Sequence, residues 1–122
     1  MKIIEAINRI DALVHNTYTQ TEKVAWLSTL DGIVKDGIID THEGDPVTFN
    51  GYGPNTDINT ELLVPAPYDE MYLRLLEAQI YYNNGEYKKY NNTVDMFNVA
   101  LQNYKVHYNR THMPKGKKFN YF

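Results

Sequence analysis

Tyr87-Lys88-Lys89-Tyr90-Asn91-Asn92-Thr93-Val94-Asp95-Met96-Phe97-Asn98-Val99-Ala100-Leu101-Gln102-Asn103-Tyr104-Lys105-Val106-His107-Tyr108 is the stretch that decides the fold. Tyr87, Tyr90, Val94, Phe97, Leu101, Tyr104 and Tyr108 follow one another at alternating steps of three and four. That is a heptad seam, kept without a miss, and it predicts a long amphipathic helix. Asp95, Asn98, Gln102 and Lys105 fall between the seam positions and are expected to face water. The seam is rich in tyrosine. Each ring can be buried, but its hydroxyl needs a partner, which suits a groove edge or a subunit boundary as well as a core. The bland reading is the core stripe of a helical bundle.

Working outward, the segment before it reads as a third helix over 67–84. Pro67 sits at the first turn, Asp69 and Glu70 complement the positive helix start, and Gly85 stops the helix. Tyr68, Met71, Tyr72, Leu75, Leu76, Ala78, Ile80 and Tyr82 leave little polar face, so this helix is expected to be central. The short Asn84-Gly85 stop turns the chain back into the fourth helix, 86–109. At the other end, Ile3, Ile7, Ile10 and Val14 mark a first helix over 2–15, with Asn16 able to close it in a left-handed conformation. Thr19-Gln20-Thr21-Glu22 is a capping box for a second helix over 20–43, with Leu27, Leu30, Val34 and Ile38 as its buried stripe. Gly32 and Gly37 inside it cost about 1 kcal/mol each against alanine, which predicts a kink or the close approach of another backbone. The expectation is an all-α, four-helix bundle-like domain.

Residues 44–64 have no helical pattern, and a loop of that length is usually functional or disordered. Asn50-Gly51 between Val47-Thr48-Phe49 and Tyr52 is a hairpin signal, and Thr60 to Val64 could form a short strand. A long loop or small β-ribbon is therefore expected. After the fourth helix, Pro114 and Gly116 lead into a tail in which Lys115, Lys117 and Lys118 are followed by Phe119, Tyr121 and Phe122. The division is a helical domain over 1–114 and a docking tail over 115–122.

At 122 residues the chain is one domain by length. It has no cysteine, hence no disulfide framework, thiolate metal site or cysteine nucleophile, which fits a reducing compartment. Met1-Lys2-Ile3-Ile4-Glu5 does not read as a secretory signal, and no apolar run approaches the ~20 residues of a membrane span. A cytoplasmic protein with no membrane attachment is expected. The net charge of −3 argues against a generic nucleic-acid binder. It is also unevenly spread. No acid follows Asp95, and five of the twelve bases do, so that end holds +5. The other seven bases and all fifteen acids lie before it, giving −8. Such asymmetry suits a head-to-tail contact between copies, or a basic tail on a different protein.

No phosphate loop, nucleophile elbow or two-histidine zinc helix is present. His15, His42, His107 and His112 are scattered. Asp57-x-Asn59-x-Glu61 begins like a calcium loop, but Leu62 and Tyr68 stand where glycine and glutamate are required. The expectation is a protein that is not an enzyme, with no metal and no cofactor.

Tyr68-Asp69-Glu70-Met71-Tyr72, Asn84-Gly85-Glu86, Tyr90-Asn91-Asn92, Phe97-Asn98 and Asn109-Arg110-Thr111-His112-Met113-Pro114, taken in order, resemble the small head–tail connector (adaptor) proteins of long-tailed bacteriophages. The likeness runs from about Ile3 to Pro114, and none of its motifs is catalytic. It implies a helical bundle that forms a ring of about a dozen copies beneath the portal protein. The ring would extend the DNA channel, without sequence-specific DNA binding, and offer a surface to a stopper or tail-completion protein. The location implied is the head–tail interface of the virion, with host cytoplasm during assembly. C-terminal segments of such proteins reach into the portal, so the docking residues expected here are Arg110, His112, Met113, Lys115, Lys117, Lys118, Phe119, Tyr121 and Phe122. Subunit-interface candidates are Tyr87, Tyr90, Tyr104 and Tyr108. The channel or next-ring loop would carry Asp45, Phe49, Tyr52, Asp57 and Glu61, and repeated acids there would repel DNA phosphates. The alternatives are another phage neck or tail-completion component, or a small helical regulatory DNA-binding protein, although no basic recognition helix is visible.

Overall fold

The computed structural model describes residues 1–44 and 46–115. Its helices are α1 (Ile3–Leu13), α2 (Gln20–Val34), α3 (Glu70–Asn83) and α4 (Tyr87–Thr111). The all-α, bundle-like fold is as expected, and the helix ends differ in instructive ways. α1 stops at Leu13 because Val14 turns extended. Asn16 closes it with its side chain, Nδ2 donating to Val14 O at 2.8 Å, and not with left-handed backbone. At α2 the Thr19 hydroxyl accepts from Glu22 N at 3.2 Å, as the capping box requires. The α-helical part of α2 ends at Val34, well short of 43. It continues as a π-helical turn, Lys35–Ile39, that contains Gly37. α3 begins at Glu70, since residues 65–69 form turns, with Tyr68 N donating to Pro65 O. α4 runs two residues past 109, with the Thr111 hydroxyl donating to His107 O at 3.1 Å.

α3 is the central element and touches α1, α2 and α4. Met71, Tyr72, Leu76 and Ile80 are fully buried, together with Ile3, Ala6 and Ile10 of α1 and Leu27 and Val34 of α2. α4 packs on α3 and on the π-helical turn but makes no contact with α1 or the α-helical part of α2. Its heptad seam faces inward. Yet only Tyr104 is buried; Val94, Phe97, Leu101 and Tyr108 are half-buried, and Tyr87 is 59% exposed.

The β-ribbon does not form. Among the described residues there is no strand, only isolated bridges at Lys2–Glu61 and His42–Pro114. Residues 46–64 instead wrap the bundle as a loop. Gly51 does take a left-handed φ of 90°, but the turn docks on α2, where Tyr52 N donates to Ser28 Oγ at 2.9 Å. The end of the loop serves α1. Ile3 N and Ile4 N, which have no partner within the helix, donate to Thr60 O and Ile58 O at 3.0 and 2.9 Å. Leu62 and Val64 drop into the core. The segment Thr60 to Val64, expected as a short strand, is held by these two anchor residues instead.

Candidate functional site

Two polar assemblies hold the chain in place, and they determine which surfaces are left to act. The first is centred on Asp31. It lies on the buried stripe of α2, between Leu27 and Val34, with no exposed surface. Three donors converge on its carboxylate. Tyr52 OH and Leu63 N reach Oδ2 at 2.5 and 3.1 Å, and Tyr72 OH reaches Oδ1 at 2.6 Å. The Tyr72 oxygen in turn accepts from Val64 N at 2.7 Å. Burial raises the Asp31 pKa above the ordinary carboxylate value, and the hydrogen bonds oppose that shift without cancelling it. Burial, followed by the nearby Asp31, also pushes the phenols of Tyr52 and Tyr72 up. The hub fastens the loop to α2 and α3. It has no buried polar atom without a partner.

The second assembly joins the end of the π-helical turn to the end of α4. His42 is buried just past the π-helical turn. Its Nδ1 lies 2.6 Å from Ile38 O, an acceptor only, so Nδ1 carries a proton. Its Nε2 meets the side-chain amide of Asn109 on α4. The Tyr108 ring stands edge-on to His42 at 5.0 Å and stacks on His112 at 3.9 Å. Beyond α4 the backbone runs antiparallel to residues 41–44, with Glu43 N donating to Met113 O at 2.7 Å and Lys115 N donating to Thr41 O at 2.9 Å. The expected tail is thus part of the domain as far as Lys115.

The expected portal-docking residues are distributed accordingly. Arg110 is exposed, on the rim of an open groove of about 380 Å³ that Tyr68, Asn103, Val106 and His107 also line. In it the Tyr68 and His107 rings stack at 4.7 Å. His112 is half-buried on Tyr108, whereas the Met113 side chain is 59% exposed. Lys115 borders a cleft of about 240 Å³ beside Lys35, Asp40 and His42. Lys117, Lys118, Phe119, Tyr121, Phe122 and, in the loop, Asp45 lie outside the described residues.

Of the four interface tyrosines, Tyr87 and Tyr90 are at the surface end of the α3–α4 hairpin, at 5.8 and 5.1 Å from the Tyr82 ring. Tyr104 is a core residue. Burial pushes its phenol up to about 12, and its ring is not open to a neighbour. Tyr108 is engaged by His42 and His112. In the loop, Tyr52 turns its hydroxyl inward and Phe49 packs edge-on against it at 4.9 Å, so neither is a free loop tip. Asp57 and Glu61 are exposed. Asp57 accepts from Asn59 N at 2.9 Å, an Asx turn.

Among the described residues no group of three or more His, Asp or Glu side chains is placed to hold a metal ion, and no helix is long and apolar enough to cross a membrane. The sequence reading missed Asp31, His42 and Asn109. Asp31 had a signal: it is an acid set in the apolar stripe of α2, four residues after Leu27. His42 and Asn109 had none, since their partnership is set by where α4 ends. No protein-family model, curated protein or solved structure matches the chain.

Proposed function

We propose that the chain is a non-enzymatic structural component of a phage particle, a head–tail connector of the adaptor type. On this reading it forms a ring below the portal and lengthens the DNA channel. The observation that carries it is the state of α4. This helix of 25 residues is covered by its own domain along one side, and Met96, Val99 and Val106 are left in water on the other. Three uncovered apolar side chains along one helix face suit a component whose work is contact with other chains. The resemblance supplies the partners: the portal, a stopper or tail-completion protein, and further copies. Repeated around a ring, the exposed Asp57 and Glu61 would repel DNA phosphates and prevent sticking during passage. The helical fold favours the portal-proximal adaptor over other neck components.

The test is coexpression with the portal protein of the same phage, followed by mass measurement and imaging. Copurification as a ring on the portal is expected. A folded protein that leaves the portal bare refutes the reading. Truncation after Lys115 keeps the amide that bonds Thr41 and removes Lys117, Lys118, Phe119, Tyr121 and Phe122. The shortened protein is expected to fold and to lose portal binding. Undiminished binding would show that those residues are not the docking element.

A further inference from the structure

Among the described residues two helix faces are uncovered, and they differ in charge. On α4, Met96, Val99 and Val106 line the side opposite the heptad seam, at 49%, 61% and 36% exposure, with Lys88 and Arg110 near the ends of the stripe. Ala25, Thr29 and Ile33 on α2, followed by Asp36 in the π-helical turn, succeed one another at steps of three and four, and all are exposed, Ile33 at 58%. Gly37 lies beside them in the π-helical turn. The helical part of α2 and α4 do not touch within the protomer, because α3 stands between them.

Gly37 is the informative residue. Glycine inside a helix is unfavourable, so it calls for a reason. Packing among the described residues gives none: a Cβ built at Gly37 would meet nothing within 4 Å of them. A second chain lying on this face would supply one, since a missing side chain lets another backbone come close.

We propose that these faces are the two halves of one contact between copies of this chain. The α4 stripe of one protomer lies on the α2 face of the next. Val99 opposes Ile33 and Val106 opposes Gly37, and Arg110 approaches Asp36. The halves are different surfaces, so the contact is heterologous and repeats head to tail into a closed ring or an open filament. Stripes of this size fall at the low end of specific interfaces, under about 1,200 Å² in total, so association is concentration-dependent. The inference rests on the connector reading only in taking the closed ring as the working form.

The test uses the purified chain without portal, by sedimentation velocity from about 10 µM to about 1 mM, where weak specific contacts are half-populated. Wild type is expected to grow past dimers as concentration rises. Val99→Asp and Ile33→Asp are each expected to stay monomeric. Both positions are exposed, so melting temperature and helix content should hold. Mixed in equal amounts, the two variants keep one intact half each and are expected to give heterodimers and nothing longer. Gly37→Ala should melt higher than wild type yet associate more weakly. A wild type that is monomeric at the top concentration overturns the proposal, as does a mixture that fails to pair. Portal binding with these results absent sinks the interface and spares the connector reading. Self-association with a bare portal does the reverse.

Discussion

Replacing Asp31 with asparagine changes almost no volume, yet it disarms the hub. In wild type all three neighbours of the carboxylate are donors. Leu63 N–H cannot turn around. The Tyr72 oxygen already accepts from Val64 N, which directs its hydrogen at Asp31. An amide supplies one acceptor oxygen where there were two. If the NH2 takes the place of Oδ2, Leu63 N–H faces a donor. If it takes the place of Oδ1, the Tyr72 hydroxyl does. One buried donor is orphaned either way, at about 1–3 kcal/mol. For a domain of this size that lowers the melting temperature by about 4 °C per kcal/mol. Urea unfolding followed by far-UV circular dichroism reads it as a lower midpoint at unchanged slope. The pH dependence has a definite sign. Burial raises the folded pKa of Asp31 above the ordinary 3.8. The folded state therefore binds more protons than the unfolded chain in the window upward from that value, and this contribution to stability falls as pH rises through it. A protonated carboxyl can still satisfy all the neighbours, donating to Tyr52 while its oxygens accept from Leu63 and Tyr72, which an amide cannot. The gap between wild type and Asp31→Asn should thus be widest in acid and narrow toward neutrality. An equal midpoint at every pH, or a gap that widens as pH rises, would refute the hub as described.

Other consequences can be checked on the same protein. Leu76→Ala, in the middle of α3 and fully buried, is expected to cost about 2–5 kcal/mol in the same unfolding assay. Asn109→Ala removes the partner of His42 Nε2. Hydrogen exchange at Glu43 N–H and Lys115 N–H should quicken about fivefold, as expected for losing a bond worth about 1 kcal/mol, while the amides of α3 exchange as before. Tyr104 has its pKa raised by burial to about 12, so the folded state resists losing that proton and loses stability as pH climbs above 10. Tyr104→Phe should flatten that alkaline decline, and difference absorbance should show one late-titrating tyrosine fewer.

The helices were legible because their signal is local. The stripe of Ile3, Ile7 and Ile10, the Thr19 cap and the glycine at 85 act within a few residues of where they stand. The tyrosine seam predicted α4 correctly but not its depth. Periodicity tells which face turns inward, and only the number of surrounding helices tells how far that face is covered. With α3 as its main neighbour, α4 stays half wet. The loop misled for the opposite reason. Asn50-Gly51 and the apolar residues near Leu62 satisfy a local hairpin rule, but Asp31, far along the chain, offers Tyr52 and Leu63 better partners. Long-range pairing of a single buried acid leaves no periodic trace.

The antiparallel pairing of residues 41–44 with 113–115 has a mechanical meaning. Tension applied beyond Lys115 meets Thr41, one residue past the π-helical turn and its cap Asp40, and so loads the end of α2 as well as α4. The far end of the polypeptide is thereby geared to its first half. A pull on Lys115 would be shared between the end of α4 and the segment that follows the Gly37 turn.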